Sequence, residues 1–181
     1  DNKGIWQDND SGIVFGHQRL SILDLSSAGN QPMKSNSGRF IVTYNGEIYN
    51  HLELRKELEI KNPGIKWRSN SDTETLLEGI ETWGLELALN KIVGMFAFGL
   101  WDKKNRSLTL AKDRMGEKPL YFFHSETEFE FGSEIRLLRS PDFLNFEAIE
   151  EYLFFGFHVG RNTFLKGVES VAPGQVLQLT L

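Results

Sequence analysis

The sequence predicts an α+β fold with β-sheets inside and helices outside, and three observations carry this. Gly94-Met95-Phe96-Ala97-Phe98-Gly99-Leu100-Trp101 is a continuous apolar strand with small residues interspersed, a pattern that implies burial on both faces. Strand-like segments dominate the first and middle parts of the chain, with helical periodicity between them. The 181 residues, 40% hydrophobic and 25% charged, suffice for one domain with a sizeable core.

Taken in order, Gly12 to Leu20 mixes apolar and polar residues in a strand-like way, and Leu23 to Pro32 is rich in turn formers. Arg39 to Tyr44 is a β-rich run, and the Asn45-Gly46 dipeptide after it marks the strand's end, because glycine accepts positive φ without steric cost. Asn50 with Glu53 fits a capping box ahead of a helix over Leu52 to Leu58, which Asn62-Pro63-Gly64 breaks. Ser71 with Glu74 fits a second capping box. Leu76, Leu77, Ile80 and Trp83 then share one helical face, with Gly84 as the stop and a shorter helix around Leu85 to Ile92. Asp102 to Asn105 is a polar turn between the apolar strand and a second strand, Ser107 to Lys112. Leu120 to His124 and Phe129 to Gly132 form a hairpin pair. Helices are expected over Ser133 to Arg139 and Phe146 to Phe155, with Pro141 as a break upstream of the latter, and Val176 to Leu181 closes as a strand.

A net charge of -5 without a basic cluster argues against a nucleic-acid partner. No apolar run is long enough for a transmembrane helix, and Asp1-Asn2-Lys3-Gly4 has no signal-peptide character, so a cytoplasmic protein is expected. The sequence holds no cysteine, which excludes disulfides, thiolate metal sites and a cysteine nucleophile within these residues. His17, His51, His124 and His158 show no metal-site spacing; His17, in a strand-like stretch, reads as a structural hydrogen-bonder.

Three polar groups among hydrophobic neighbours call for an explanation. Arg19, beside Leu20 and Ile22, wants a planar carboxylate, which could be that of Asp24 or of a bound amino acid; read alone, the segment favours Asp24. Asp72, at a helix start, would ordinarily serve the cap and the helix dipole, and could instead meet a substrate ammonium. Asn45 and Gly46 place a side-chain amide beside an unencumbered N–H, two donors able to converge on an oxyanion, although a hairpin turn explains Asn-Gly alone. Glu47 comes directly after them. A cation, an anion and a pair of amide donors are together the complement of a free α-amino acid whose side-chain carbonyl is attacked, a description that glutamine fits.

Gly16-His17-Gln18-Arg19-Leu20-Ser21-Ile22-Leu23-Asp24-Leu25, Gln31-Pro32-Met33, Tyr44-Asn45-Gly46-Glu47-Ile48-Tyr49-Asn50 and Ser71-Asp72-Thr73-Glu74 occur in order. Gly94-Met95-Phe96-Ala97-Phe98, Lys112-Asp113-Arg114-Met115-Gly116-Glu117-Lys118-Pro119-Leu120-Tyr121, Gly132-Ser133-Glu134-Ile135 and the terminal Pro173-Gly174-Gln175 come next along the chain. This ordered set, covering nearly the whole chain, resembles the glutaminase domain of glutamine-hydrolysing asparagine synthetases, a class II glutamine amidotransferase. The resemblance implies an N-terminal-nucleophile hydrolase-like αββα four-layer sandwich. It also implies that Arg19 binds the glutamine α-carboxylate and Asp72 its α-amino group, that the Asn45 side chain and Gly46 N–H form the oxyanion hole, and that Glu47 helps hold the substrate. In that family the nucleophile is the thiol of an N-terminal cysteine. Ammonia passes to a second domain, where it attacks an aspartate carboxylate activated by ATP.

This chain departs from the family pattern at Asp1, where Asp1-Asn2-Lys3-Gly4-Ile5-Trp6 resembles the segment just after the cysteine-bearing stretch. The expectation is therefore a fragment: one type 2 glutamine amidotransferase domain over residues 1–181, lacking the nucleophile, its first strand and the C-terminal synthetase domain, and inactive without the cysteine. No cofactor is expected in this domain, ATP and Mg belonging to the synthetase domain. Glutamine, that domain of the same polypeptide and a second copy in a homodimer are the expected partners. The alternatives are an amidotransferase domain serving a different carboxylate and an inactive binding or scaffold domain of the same fold. By resemblance the Asp113-to-Pro119 loop would face the synthetase domain; by its charge alone it is a solvated turn.

Overall fold

A computed structural model describes residues 2–20, 24, 26–138, 143–158 and 160–181. Ser21, Ile22, Leu23 and Leu25 of the first motif, Arg139 at the end of an expected helix, and the Pro141 break lie outside the described residues. The chain divides into two compact units, one of Asp1–Gly94, Phe98–Thr109 and Gln178–Leu181, the other of Met95–Ala97 and Leu110–Leu177.

The first unit opens with β1 (Asn2–Asp8) and β2 (Ile13–Arg19), an antiparallel pair in which Trp6 faces Phe15 with ring centroids 5.9 Å apart. No sequence pattern marks β1 as a strand, because Lys3, Gly4 and Gln7 dilute its β character and the apolar Ile5 turns outward, 79% exposed. β3 (Met33–Lys34) pairs with β4 (Phe40–Ile48), Met33 opposite Val42. Three helices come after β4: α1 (His51–Lys61), α2 (Asp72–Trp83) and α3 (Leu85–Lys91). α2 touches α1, α3, β3 and β4, so it is buried on every side from Asp72 to Ile80 rather than along one stripe. Three carboxylates, Asp72, Glu74 and Glu78, are carried inside with it and need donors. Glu78 takes the Asn36 N–H at 2.9 Å, and burial, outweighing that bond, raises its carboxyl above the usual range.

β5 (Gly94–Asp102), β6 (Ser107–Lys112) and β10 (Val176–Thr180) complete a five-stranded sheet in the order β10-β6-β5-β4-β3. β5 is buried from Phe96 to Asp102, as its unbroken apolar run predicts. At the polar turn after it, Asp102 accepts from Arg39 Nε at 2.9 Å and Nη2 at 2.6 Å.

The second unit holds a three-stranded sheet of β7 (Tyr121–His124), β8 (Phe129–Gly132) and β9 (Val168–Ser170), in the order β8-β7-β9, with Tyr121 opposite both Gly132 and Ser170. The expected helix over Ser133 to Arg139 is reduced, among the described residues, to one 3-10 turn at Ile135–Leu137. α4 (Phe146–Phe155) matches expectation in extent, but it buries only Ala148 and leaves Leu153 and Phe154 at 78% and 82% exposure. The Asp113-to-Pro119 loop exposes Arg114, Met115, Glu117 and Pro119, in keeping with a solvated turn, and is built around one buried group. It wraps the buried Asp113 carboxylate, whose Oδ1 accepts from Met115 and Glu117 N–H and whose Oδ2 accepts from Phe96 and Lys118 N–H, all at 3.0–3.2 Å. Burial raises that carboxyl, and the hydrogen bonds outweigh it, holding the group below the usual carboxylate range.

Candidate functional site

The candidate residues all belong to the first unit. β4 supplies three of them, and it does not end at Tyr44. The strand continues through Asn45, Gly46 and Glu47 to Ile48, and Gly46 is not among the glycines with positive φ. The turn reading of Asn-Gly is therefore corrected. Beyond the register position Met33–Val42, the Gln31 side chain takes over the ladder, its Oε1 accepting from Tyr44 N at 2.6 Å and its Nε2 donating to Tyr44 O at 3.0 Å. A primary amide thus stands where a peptide group would. Asn45 and Glu47 are half-buried, and neither side chain forms a hydrogen bond with the described residues. On the other side, a Cβ at Gly94 would collide with the Glu47 carbonyl, so only glycine lets β5 start this close to the motif.

Asp72 is the first residue of α2 and only 4% exposed. Its Oδ2 accepts from the Tyr44 hydroxyl at 3.0 Å and from the Ile48 N–H at 2.8 Å, while Ser71 Oγ lies 3.5 Å from Oδ1. The helix cap is supplied by the neighbour: Ser71 Oγ accepts from Thr73 N at 3.2 Å. Asp72 therefore does not serve as the cap. It is joined to the residues that bracket Asn45-Gly46-Glu47 on either side.

Arg19 ends β2, half-buried. Nη1 donates to Ser26 O at 3.0 Å and Asn30 Oδ1 at 3.2 Å, and Nη2 donates to the main-chain carbonyl of Asp24. A side chain at Gly29 would occupy the space of this guanidinium. No carboxylate of the described residues forms an ion pair with it. The Asp24 carboxylate is engaged elsewhere, accepting from Ser26 N and Asn70 N at 2.8 Å each, and hydrogen bonds from Ser26 and Asn70 hold it below the usual range. Asp24 thus links the loop that cradles Arg19 to the segment just before Asp72. Two residues back on β2, His17 Nδ1 lies 3.1 Å from Thr43 Oγ1 on β4, in keeping with the structural role expected for this histidine. Burial, and then the Arg19 charge, lower its pKa, which keeps the ring neutral at pH 7.

Besides Gln31, two supporting residues are not marked as such by the sequence. Arg55, on α1 and 8% exposed, donates to Thr75 Oγ1 and Ser71 O at 2.8 Å each and lies over the Trp67 ring at 4.2 Å. Glu74, fully buried, accepts from Ser69 N and Oγ at 2.8 Å and from Arg68 N at 3.0 Å. Burial raises its carboxyl, and the hydrogen bonds from Arg68 and Ser69 overcome that, leaving it below the usual range. Neither expected capping box closes: Glu74 serves the preceding loop, and the Asn50 amide bridges Lys91 O and Val93 N at 2.9 and 3.0 Å. The one signal for Arg55 is its position beside Leu54 and ahead of Leu58, the buried residues of α1.

Among the described residues no His/Cys/Asp/Glu group is placed to hold a metal ion, and no helix is long and apolar enough to cross a membrane. In comparison with known proteins, the model of the family described as "Glutamine amidotransferase domain" matches residues 1–180. Asparagine synthetase [glutamine-hydrolyzing] 1 of Bacillus subtilis is 37% identical over 169 residues, which cover 92% of this chain and 26% of that protein. Asparagine synthetase [glutamine-hydrolyzing] 3 of the same organism is 34% identical, covering 98% and 29%. Amidase chry2 of Gibberella zeae is 32% identical, covering 98% and 26%. The chain thus spans between a quarter and a third of the length of these relatives. Among solved structures, the glutamine phosphoribosylpyrophosphate amidotransferase of B. subtilis complexed with ADP and GMP aligns with a TM-score of 0.62 at 21% identity, over 92% of this chain and 32% of that one. An allosteric regulatory enzyme of purine biosynthesis aligns at 0.63 and 21%, over 92% and 33%. At that identity the likeness carries the fold alone, and the fold is the α+β, N-terminal-nucleophile hydrolase-like class that the sequence motifs implied.

Proposed function

Because this chain belongs to the glutamine amidotransferase domain family, we propose that residues 1–181 are one glutamine-hydrolysing, ammonia-supplying domain of an asparagine synthetase. The observation that carries the reading is the tie between Asp72 and β4. Tyr44 and Ile48, which flank Asn45–Gly46–Glu47, both donate to one Asp72 carboxylate oxygen, so this anion is tied to the stretch of strand that carries the Asn45–Gly46 donor pair.

In this reading the Arg19 guanidinium, cradled by neutral oxygens and paired with no carboxylate of the described residues, takes the glutamine α-carboxylate. Asp72 takes the α-ammonium and Glu47 helps hold the substrate. Attack of a thiolate on the γ-carboxamide carbon turns its carbonyl oxygen into an oxyanion, which the Asn45 amide and the Gly46 N–H stabilise. The proton given up by the thiol passes to the amide nitrogen, ammonia leaves as the tetrahedral carbon collapses to a thioester, and water hydrolyses that thioester to glutamate. The attacking thiolate belongs to a cysteine, and none of these 181 residues is one. The ammonia would serve ATP-dependent amidation of aspartate in a synthetase domain of the same polypeptide, in the cytoplasm, with ATP and Mg used there and no cofactor in the glutaminase domain. A homodimer is the proposed assembly.

Titration calorimetry on the chain tests the site. Glutamine is expected to bind saturably at millimolar or lower concentration, with binding lost in Arg19→Ala. An ammonia-release assay should show no turnover until a cysteine-bearing N-terminal segment is attached. Absence of glutamine binding, or hydrolysis by the cysteine-free chain, would overturn the reading.

A further inference from the structure

Resting on the glutamine-site reading, we infer that Tyr44 is a positioning residue that couples the oxyanion donors to the ammonium-binding carboxylate, its hydroxyl aiming Asp72 while its peptide group fixes Asn45. Tyr44 is held at both ends. Its N–H and C=O are both taken by the Gln31 side chain, which sets the path of the strand into Asn45. The residue is 4% exposed, and its hydroxyl donates to Asp72 Oδ2 at 3.0 Å. The Ile48 N–H shares that oxygen at 2.8 Å. Two donors hold Oδ2 and leave Oδ1, which among the described residues has only the distant Ser71 hydroxyl at 3.5 Å, as the oxygen with spare accepting capacity. An ammonium is the ligand chemistry that such an oxygen suits. Burial, and then the Asp72 charge, push the Tyr44 phenol well above its ordinary pKa, so it is a donor at neutral pH.

A residue acting this way has a signature that mere packing lacks: it matters for a ligand with an α-amino group and not for one without. Tyr44→Phe keeps the ring, the strand and the Ile48 bond while deleting the one hydroxyl. Calorimetry on the full chain with glutamine and with 4-carbamoylbutanoate, its des-amino analogue, separates the cases. Tyr44→Phe is expected to weaken glutamine about fivefold, the size of one hydrogen bond's net contribution, and to leave the analogue within about twofold. In an Asp72→Asn background the Tyr44→Phe change should cost glutamine nothing further. Equal weakening of both ligands, or full additivity with Asp72→Asn, overturns the inference and leaves the glutamine-site reading standing. An unmutated chain that binds neither ligand overturns both. Should Tyr44→Phe not fold, the unmutated chain labelled with 13Cζ-tyrosine provides the test, its signals assigned by Phe substitution at Tyr49, Tyr121 and Tyr152. The Tyr44 signal should shift with glutamine and stay fixed with the analogue; the same shift with both, or none with either, overturns the inference.

Discussion

Individual side chains in this chain are legible as chemistry but not as geometry. Arg19, Asn45, Gly46, Glu47 and Asp72 stand out in the sequence because each is a charged group or an amide donor beside apolar neighbours, and the fold brings the last four onto β4 and the helix end joined to it. What their neighbours do is not readable. Arg19 looks like half of an ion pair with Asp24, yet it bonds that residue's carbonyl, because the Asp24 carboxylate is committed to Ser26 and Asn70. Glu74 looks like a capping residue and is the acceptor that closes the Arg68–Ser69 loop. Its removal sets a clear test. Glu74→Gln places a donor amide where the Ser69 and Arg68 N–H groups already point, at a side chain that is fully buried. It is expected to destabilise by about 3 kcal/mol, read from urea unfolding; a loss under about 1 kcal/mol would show that the loop reaches water in the variant.

Elements are easier to find than to bound. Long apolar or periodic runs mark β5, α2 and α4 nearly residue for residue, since the period of a run sets the type of element, but burial does not follow: α4 buries only Ala148. β4 runs past its expected end because Asn-Gly has the local preference of a turn, and the bonds that override it come from Gln31, 13 residues earlier. β1 and β9 leave no local signal, one diluted by polar residues and glycine, the other only 3 residues long. At the N-terminus of α2 the sequence predicts a reciprocal box and the structure has one cap, Ser71 on Thr73. Ser71→Ala is expected to cost about 1 kcal/mol, and Ser71→Gly only a few tenths, both measured as shifts in urea midpoint. Equal losses from the two changes would mean that Ser71 acts by packing and not as a cap.

For the whole molecule, pH should act through groups that the fold has moved from their ordinary pKa values. His17 has a lowered pKa, so the folded chain binds fewer protons than the unfolded one and stability is lost as pH falls through 6.5, the ordinary histidine value. Asp24, Asp102 and Asp113, ordinarily 3.8, and Glu74, ordinarily 4.5, are also lowered; their contribution is present above those values and disappears as pH falls below them. Glu78, raised above 4.5, works in the opposite direction, its contribution complete below that value and lost as pH rises. Urea midpoints should therefore decline gently from pH 7 to 5 and steeply below pH 4.5, with the gentle part abolished in His17→Gln; a midpoint unchanged between pH 7 and 5 would remove His17 from this account. The sequence by itself determined the fold class, the family and the polar residues that stand out as chemistry, because burial patterns, glycine positions and polar residues among apolar ones are written locally. Only the tertiary structure decided which donor meets which acceptor. Those choices rest on partners such as Gln31 with Tyr44 and Tyr44 with Asp72, 13 and 28 residues apart, and no local pattern encodes a contact that the folded chain alone brings within hydrogen-bond reach.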